Sequence, residues 1–302
     1  MTFRMSPHLF GLLVTIAGVL ALSPDALLIR LVAADSASVL FWRGIFFSIT
    51  IFGFYSLRFG AGGVVARLRV LGRRGLLAAL FYSLSSTFFV LAITHTSIAN
   101  ALVIIATAPL FAAVFSWIFL KEAIRLPTWI AIFVCLGGIG LIFAGSLESG
   151  SYFGDFCALM TASMISGQFT TVRHAKDLDM VPSLGISGLL MAAFALPFAA
   201  PLSLTGESFA WLALLGFVVL PIAIGLITIG PRYISAPEVS LLLLLESFFG
   251  PLWAWMALGE VPTRETVLGG AIVISTLILH TVLTLRQGRR TADAASGIGE
   301  SG

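Results

Sequence analysis

The segment SIANALVIIATAPLFAAVFSWIFLKEAI, from Ser97 to Ile124, is uncharged until its last four residues. Its apolar run is long enough to cross the roughly 30 Å hydrocarbon core of a bilayer as a single helix. The pattern returns in the second half of the chain as SAPEVSLLLLLESFFGPLWAWMALGEVP, from Ser235 to Pro262. The two segments align without a gap, so that Ser97 meets Ser235 and Glu122 meets Glu260. This repeat predicts a membrane-embedded unit that occurs twice in the fold.

The composition is that of a membrane protein. Of the 302 residues, 59% are hydrophobic and only 10% are charged, and the mean hydropathy is +1.06. A soluble chain of this size carries roughly a quarter charged residues, so lipid is expected to be the main solvent. We therefore predict an all-α integral membrane protein in the lipid bilayer, because helices satisfy their backbone hydrogen bonds internally. The net charge of +3 gives no reason to expect nucleic-acid binding, because the basic residues lie mostly in loops.

Ten segments have the length and apolar character of a transmembrane helix. They cover approximately residues 8–29, 37–57, 75–94, 98–119, 127–146, 153–172, 181–202, 209–230, 237–258 and 265–285. The connections are short, and the longest of them, residues 58–74, is predicted to be a basic loop. Residues 288–302 are predicted to form a disordered cytoplasmic tail. A cleavable signal sequence ending near Ser23 is disfavoured, because Pro24 follows directly and cleavage would leave nine spans.

The basic residues orient the chain, because Lys and Arg near the ends of spans favour the cytoplasmic side. An even number of spans places both termini on the same side of the membrane. With the N-terminus inside, the 17 Lys and Arg residues all fall on the cytoplasmic side except Arg30, Arg43 and Arg264. Both termini are therefore predicted to be cytoplasmic.

A second alignment, with a slightly larger offset, extends the repeat to the start of each copy. In it Phe10-Gly11 meets Phe153-Gly154, Arg30 meets Arg173, and Asp25 meets Gln168. The chain is thus predicted to be a duplicated five-helix unit, with residues 1–147 and 148–287 as the two copies. Because five is odd, the second copy must be inverted in the membrane relative to the first. Inverted repeats around a central binding site are a common construction of secondary transporters.

The two copies contain a characteristic set of residues, found mostly near their ends. They are Ala92 to Ala101, Pro109-Leu110-Phe111, Trp117 and Leu120-Lys121-Glu122, and in the second copy Gly154-Asp155, Glu246, Trp255 and Leu258-Gly259-Glu260. This set resembles the drug/metabolite transporter superfamily, EamA type. The resemblance covers nearly the whole chain and implies a multi-pass protein of a bacterial inner membrane. It further implies export of amino acids, aromatic ones included, or of another small metabolite such as a purine, a sugar derivative or a drug-like cation. Glu246-Ser247 stands where the family often has Glu-Pro, which leaves open where the ninth helix bends.

Glu246 is the charged residue of the apolar run from Val239 to Leu258, near the middle of the ninth predicted span. A carboxylate at that depth is costly and usually faces a cavity or a partner. Three interpretations stay open at this point. Glu246 could bind the ammonium group of an amino acid, it could take up a proton and couple export to protons, or it could join helices through a hydrogen bond.

Further polar residues inside the predicted spans are candidates for the lining of a central cavity. The predicted substrate-binding residues are Tyr82, Ser83, Asn100, Gln168, Glu246 and Ser247, and the possible coupling residues are Glu246 and Asp25. Tyr82 could stack on an aromatic ligand. The alternatives are structural, since Ser and Thr often join membrane helices, and Asp25 could face water or pair with Arg30.

Catalysis has little support in the sequence. The four His residues are scattered, and no HExxH, GxSxG or phosphate-binding loop is present. Cys135 and Cys157 both lie within predicted spans, so no disulfide, metal site or cofactor is expected. An intramembrane enzyme would need convergent catalytic groups, and a channel would need a continuous polar face. We therefore predict a monomeric or weakly dimeric secondary transporter that exports amino acids across the inner membrane by alternating access.

Overall fold

The computed structural model describes residues 6–32, 34–96, 98–143, 152–201, 204, 206–258, 264, 267–280 and 282–283. These ranges are mostly helical and contain no strand, which confirms the predicted all-α architecture. The predicted cytoplasmic tail, residues 288–302, lies outside the described residues, as does Glu260. The side chains of Arg30 and Asn100 also lie outside them.

The helices follow one another along the chain with short connections. Their bounds are α1 (Pro7–Leu22), α2 (Asp25–Val32), α3 (Ser36–His95), α4 (Ile98–Ile105), α5 (Ala108–Phe115), α6 (Leu126–Phe143), α7 (Tyr152–His174), α8 (Ser183–Ala195), α9 (Gly206–Leu214), α10 (Leu220–Ile229), α11 (Ala236–Leu243), α12 (Leu245–Leu258) and α13 (Val267–His280). A π-helical turn, Ser116–Leu120, follows α5, and another, Leu215–Val219, joins α9 to α10.

Three helical stretches in the described part of the chain are long and apolar enough to cross a membrane. They are Pro7–Ile29, Ser36–His95 and Gly206–Arg232. Four shorter apolar helices coincide with further predicted spans. They are Ala108–Leu120, Leu126–Leu141, Ser183–Ala195 and Val267–His280. Helices therefore occupy the places where the sequence predicted transmembrane segments.

The connection between the second and third predicted spans is helical, so the prediction of a basic loop at residues 58–74 was wrong. Positive φ angles at Gly60 (73°) and Gly72 (50°) interrupt α3, and glycine adopts this left-handed region without a steric penalty. The first, middle and last parts of α3 are residues 36–59, 61–71 and 73–95. The middle part packs Val64 and Leu71 into the core. Because these two positions are two helical turns apart, they share one helix face.

The first, fourth and ninth predicted spans are each broken into two helices. α1 and α2 meet at Ser23-Pro24, α4 and α5 meet at Ala106-Thr107, and α11 and α12 meet at Leu244. Proline accounts for the first two breaks, because Pro24 and Pro109 cannot donate a backbone hydrogen bond. The break at Leu244 has no proline beside it, and it places Glu246 in the first turn of α12. The alignment that pairs Ser97 with Ser235 also pairs α4 with α11, residue for residue at both ends.

The helices pair in a corresponding way in the two halves of the chain. α1 packs on α10 beside Gly18, and α7 packs on the last part of α3 beside Gly167. The first part of α3 packs on α8, where the backbones of Gly44 and Gly188 touch each other. α5 and α11 also pack together. Each of these four pairs thus joins one helix from each half.

One ring contact occurs twice with nearly the same geometry. At the start of α1, the rings of Phe10 and Tyr233 lie 5.0 Å apart at an angle of 78°. At the start of α7, the rings of Phe153 and His95 lie 5.1 Å apart at an angle of 77°. The two alignments of the sequence repeat pair Phe10 with Phe153 and His95 with Tyr233, so both members of the contact are equivalent.

The start of α1 and the end of α7 lie at the same end of the molecule. His8 Nε2, in the first turn of α1, lies 3.2 Å from Oε1 of Glu238. Arg173 Nη1, in the last turn of α7, donates to the carbonyl of Pro231 at 3.4 Å. Pro231 and Glu238 flank the short connection between α10 and α11. α1 therefore runs away from this end, whereas α7 runs toward it.

Candidate functional site

The three helix breaks meet at a cavity. Asp25 reaches it from the first break, Ala106 from the second, and Leu244 from the third. The polar side chains of its wall are Asp25, Arg43, Tyr82, Ser85, Ser86, Thr161, Gln168, Ser240, Glu246 and Ser247. The rest of the wall is largely apolar and includes the rings of Phe89 and Phe169. A mostly apolar cavity with a few convergent polar groups is the usual form of a small-molecule site.

Arg43 and Asp25 form a buried ion pair on this wall. Nη1 and Nη2 of Arg43 donate to Oδ1 and Oδ2 of Asp25, each at 2.8 Å, and both residues are 3% exposed. The planar guanidinium group fits a carboxylate at two points, which makes this one of the stronger ionic contacts. Asp25 begins α2 directly after Pro24, so the helix break presents its carboxylate to α3. Arg43, its partner, was not among the predicted site residues.

Glu246 faces the same group of charges. It interacts electrostatically with Asp25 and Arg43, and Tyr82 interacts with Arg43 and Glu246. The described wall thus carries two carboxyl groups and one guanidinium group. The carboxyl group of Glu246 makes no hydrogen bond or ion pair to any other described residue. Its carboxyl group is therefore available to a ligand or a proton.

Several buried polar atoms of the wall have no hydrogen-bond partner among the described residues. They are Nε of Arg43, Oγ of Ser86, Oε1 of Gln168 and Oγ of Ser240. Gln168 uses its amide nitrogen, which donates to Oγ1 of Thr228 at 3.3 Å. A buried polar group without a partner costs roughly 1–3 kcal/mol. The concentration of such atoms in one cavity indicates that water or a polar ligand completes their hydrogen bonds.

Comparison with known proteins identifies the family. The profile of the EamA-like transporter family matches residues 8–144 and, separately, residues 152–282. The chain belongs to the EamA-like transporter family. This confirms the predicted resemblance at the level of the family, and it makes the chain a multi-pass membrane transporter of a small molecule and not an enzyme.

Individual relatives of this EamA-like transporter are distant but cover most of the chain. An uncharacterized transporter of Archaeoglobus fulgidus is 25% identical over 259 residues, which is 83% of this chain and 88% of the relative. The pseudopaline exporter CntI of Pseudomonas aeruginosa is 27% identical over 248 residues, 79% of this chain and 84% of the relative. A crystal structure with a TM-score of 0.76 and 18% identity covers 92% of this chain and 98% of its own. That likeness shows the fold.

Most of the predicted site residues of this EamA-like transporter lie on the cavity wall. They are Asp25, Tyr82, Gln168, Glu246 and Ser247. Ser83 is buried but does not belong to the wall, and its hydroxyl donates to the carbonyl of Leu80 at 2.9 Å. The side chain of Asn100 lies outside the described residues. The helix breaks thus bring together groups that are far apart in sequence.

Arg43 is the main candidate that the sequence reasoning missed. The sequence did contain evidence for Arg43, which is the charged residue of the second predicted span, residues 37–57. The cost of a charge at that depth, which singled out Glu246, applies equally to Arg43. The hydroxyl group of Ser240 had no comparable signal, since serine is common between membrane helices.

A second group of polar contacts joins the two halves of the transporter away from the cavity. Nε of Arg173 lies 3.0 Å from Oε1 of Glu122, and the Tyr55 hydroxyl donates to Oδ2 of Asp179 at 2.7 Å. These four residues, with His8 and Glu238, form what we call the tied end. None of the six lines the cavity. The contacts therefore hold helices together without taking part in the site.

Metal-binding chemistry has no support in the residues that the structure describes. No group of three or more His, Cys, Asp or Glu among them could hold a metal ion. Cys135 and Cys157 are both buried free thiols.

Proposed function

We propose that this transporter exports amino acids, including aromatic and other apolar ones, across the inner membrane by alternating access. The observation that carries the proposal is the cavity, in which Glu246 lies unpaired near the Arg43–Asp25 pair. An amino acid offers an ammonium group to Glu246 and an apolar side chain to a wall that includes Phe89 and Phe169. The polar groups are concentrated at one place, which favours a binding site over the continuous polar face of a channel.

Alternating access is supported by the internal symmetry. The family profile matches twice, α4 and α11 have equivalent bounds, and the ring contact at the start of α1 recurs at the start of α7. α1 and α7 also run in opposite directions, as the first helices of two inverted repeats would. On this proposal, residues 1–147 and 148–287 each contribute five of the ten spans. Inverted halves around a central site can exchange conformations and open the site to each side in turn.

The orientation follows from the charges. The tied end belongs to the cytoplasmic side on this proposal, because the segments that form it carry most of the Lys and Arg residues. The contacts Arg173–Glu122 and Tyr55–Asp179 cross between the two halves. They would have to separate when the cavity opens to the cytoplasm and receives its substrate.

The cavity residues have distinct proposed roles. Glu246 binds the ammonium group of the substrate and takes up the proton that drives export. Tyr82, Gln168 and Ser247 offer hydrogen bonds from three different parts of the wall. A protonated Glu246 would release the ammonium group, so substrate and proton would compete for one carboxylate.

The test is counterflow of labelled Phe, Trp, Leu, Met and Thr in proteoliposomes, with and without an imposed pH gradient. We expect the wild type to exchange the apolar amino acids. We expect Glu246→Gln to lose most of this transport, because a neutral amide attracts an ammonium group far less than a carboxylate does. Glu207→Gln, the same change at the exposed start of α9, is the matched control and should behave as the wild type.

Three outcomes separate the interpretations of Glu246. Loss of transport only when the pH gradient drives it would assign proton coupling to this residue. Unchanged transport in Glu246→Gln would make the carboxyl group structural and contradict its role in the site. If the wild type exchanges none of the labelled amino acids, the substrate is not an amino acid of this panel.

A second candidate substrate comes from one relative. The pseudopaline exporter CntI is 27% identical to this chain over 248 residues. Unlabelled pseudopaline can be added to the same counterflow assay. Inhibition by pseudopaline together with an inactive amino-acid panel would favour this second candidate.

A further inference from the structure

Asp25 occupies one edge of the Arg43 guanidinium group, and the other edge, near the Tyr82 hydroxyl group, makes no close hydrogen bond. Nη1 and Nη2 each donate to Asp25 at 2.8 Å, while Nε is buried without a partner among the described residues. Arginine carries five N–H donors in one plane, so the edge formed by Nε and one Nη can hold a second carboxylate side-on. Arg43 is 3% exposed and belongs to the cavity wall. A ligand in the cavity therefore lies beside Arg43, and it contacts the enclosed Nε once neighbouring side chains shift.

Unused acceptors stand on the same wall. Oε1 of Gln168 is buried without a partner, and Glu246 has no hydrogen bond or ion pair to the rest of the described chain. Glu246 is close enough to Arg43 to interact with it electrostatically. The cavity thus offers a cationic donor and an anionic acceptor to the same ligand.

We propose that Arg43 binds the α-carboxylate of the substrate through its free edge, while Glu246 and Gln168 Oε1 accept hydrogen bonds from the α-ammonium group. This inference rests on the proposed amino-acid export and adds that both charges of the zwitterion are required. Asp25 is a positioning residue, because its two-point contact fixes the plane of the guanidinium group. Arg43 is a substrate-binding residue.

Hydrogen-bond matching, and not net charge, distinguishes the zwitterion from its analogues, because Asp25 already balances the charge of Arg43. Buried donors and acceptors are stable when each one has a partner. A bound amino acid supplies a carboxylate to Arg43 and an ammonium group to Glu246. An amine without a carboxylate leaves the free edge of Arg43 unmatched, and an acid without an amine leaves Glu246 unmatched. Each analogue should therefore bind more weakly than the amino acid itself.

The experiment measures inhibition of wild-type counterflow by three compounds. They are the unlabelled amino acid that is transported best, its α-amide, and the amine that lacks the carboxylate. We expect the amino acid to inhibit at concentrations at least about tenfold lower than the other two, the size of one charge-assisted hydrogen bond. Equal inhibition by the amino acid and its amide would overturn the proposal while leaving amino-acid export intact. An absence of counterflow with every amino acid would instead overturn the proposed function.

Two variants assign the selectivity to Arg43. Arg43→Lys keeps the charge beside Asp25 but removes the planar edge, and the double variant Asp25→Asn/Arg43→Gln removes both charges and leaves no buried ion unpaired. In each we expect the preference for the amino acid over its amide to disappear. A purely structural defect would lower inhibition by all three compounds and leave their ratio unchanged. A preserved ratio in either active variant would overturn the role of Arg43.

If a variant does not transport, ligand binding can still be measured on the purified protein. The amino acid should raise the thermal midpoint of the wild type more than its amide does, because it binds the folded state more tightly. The difference between the two ligands should vanish in both variants. A variant that keeps the wild-type difference would contradict the proposal without any transport measurement.

Discussion

Asp25 and Arg43 stabilise the fold only as a pair. A buried charge that loses its partner retains the cost of desolvation without the compensating attraction, and breaking such a pair typically costs about 3–5 kcal/mol. Both residues are 3% exposed, so bulk water has little access to replace either partner. The pair therefore affects stability as well as the shape of the cavity.

Asp25→Asn is expected to lower the thermal stability of the purified transporter in detergent, because Arg43 would stay buried beside a neutral amide. The double variant Asp25→Asn/Arg43→Gln should recover much of the loss, since no unpaired charge remains. Asp177→Asn is the control, because Asp177 is exposed just after α7. The midpoint of thermal unfolding is the measurement. An Asp25→Asn midpoint equal to that of the control would show that the pair does not stabilise the fold.

For single residues, the sequence predicted how deep a polar side chain lies in the membrane, but it did not predict which side chain it contacts. A polar side chain in the middle of an apolar span has to face a cavity or a partner, and this argument selected Gln168 and Glu246. The contact of Asp25 with Arg43 joins different helices, and the rotation of one helix against another depends on packing. Ser83 shows the same limit, because its neighbour Tyr82 lines the cavity and Ser83 does not.

Close approach of helices depends on small residues at particular places. A methyl group added to Gly44 on α3 would overlap the carbonyl oxygen of Gly188 on α8 and lie 2.9 Å from the amide nitrogen of Ala192. A methyl group on Gly188 would lie 3.0 Å from the amide nitrogen of Ser48. Packing of this kind is a main source of helix association in lipid, where the hydrophobic effect between helices is absent.

Gly44→Ala and Gly188→Ala are expected to destabilise the transporter by about 1–3 kcal/mol each, the usual cost of overfilling a packed contact. Gly53→Ala on the same helix as Gly44 is the control, because nothing lies within 4 Å of a methyl group there. The control should be neutral or slightly stabilising, since alanine favours helix over glycine. Thermal midpoints in one detergent compare the three variants. Equal midpoints for Gly44→Ala and Gly53→Ala would disprove the close packing of α3 on α8.

At the scale of elements, apolar length predicted the helices better than it predicted their interruptions. The kinks near Pro24 and Pro109 could be foreseen, because proline removes a backbone donor. The break at Leu244 could not, since no proline stands beside it and Pro251 lies almost two helical turns further along the chain. The helix at residues 61–71 was missed because a segment rich in arginine was interpreted as a loop. The breaks at its two ends depend on backbone angles that glycine permits but does not dictate.

For the whole molecule, the internal repeat carried information that no local pattern did. One alignment pairs Phe10 with Phe153, and the other, when it is extended two residues before Ser97, pairs His95 with Tyr233. The ring contact of Phe10 with Tyr233 therefore corresponds to that of Phe153 with His95. On the proposal of five spans in each copy, this odd number requires the second copy to be inverted. The side of the membrane on which each end lies follows from a different argument, the distribution of Lys and Arg, and it can be tested separately.

Single cysteines at two exposed positions test this orientation. Arg69→Cys lies in the middle part of α3 and Glu207→Cys lies at the start of α9. With cytoplasmic termini and ten spans, the first position is inside and the second is outside. A membrane-impermeant maleimide added to intact cells should therefore label only Glu207→Cys, and cell lysis should make both variants reactive. The wild type gives the background, because Cys135 and Cys157 are buried.

Each contrary result of this labelling has a distinct structural meaning. Labelling of Arg69→Cys alone from outside would reverse the orientation, and it would move the tied end, with its Arg173–Glu122 contact, to the outer face. The cavity would then be separated from the outer side by those contacts, and the direction of transport would have to be assigned anew. Labelling of both variants from the same side would mean an even number of crossings between the two positions, which a repeat of five spans does not allow.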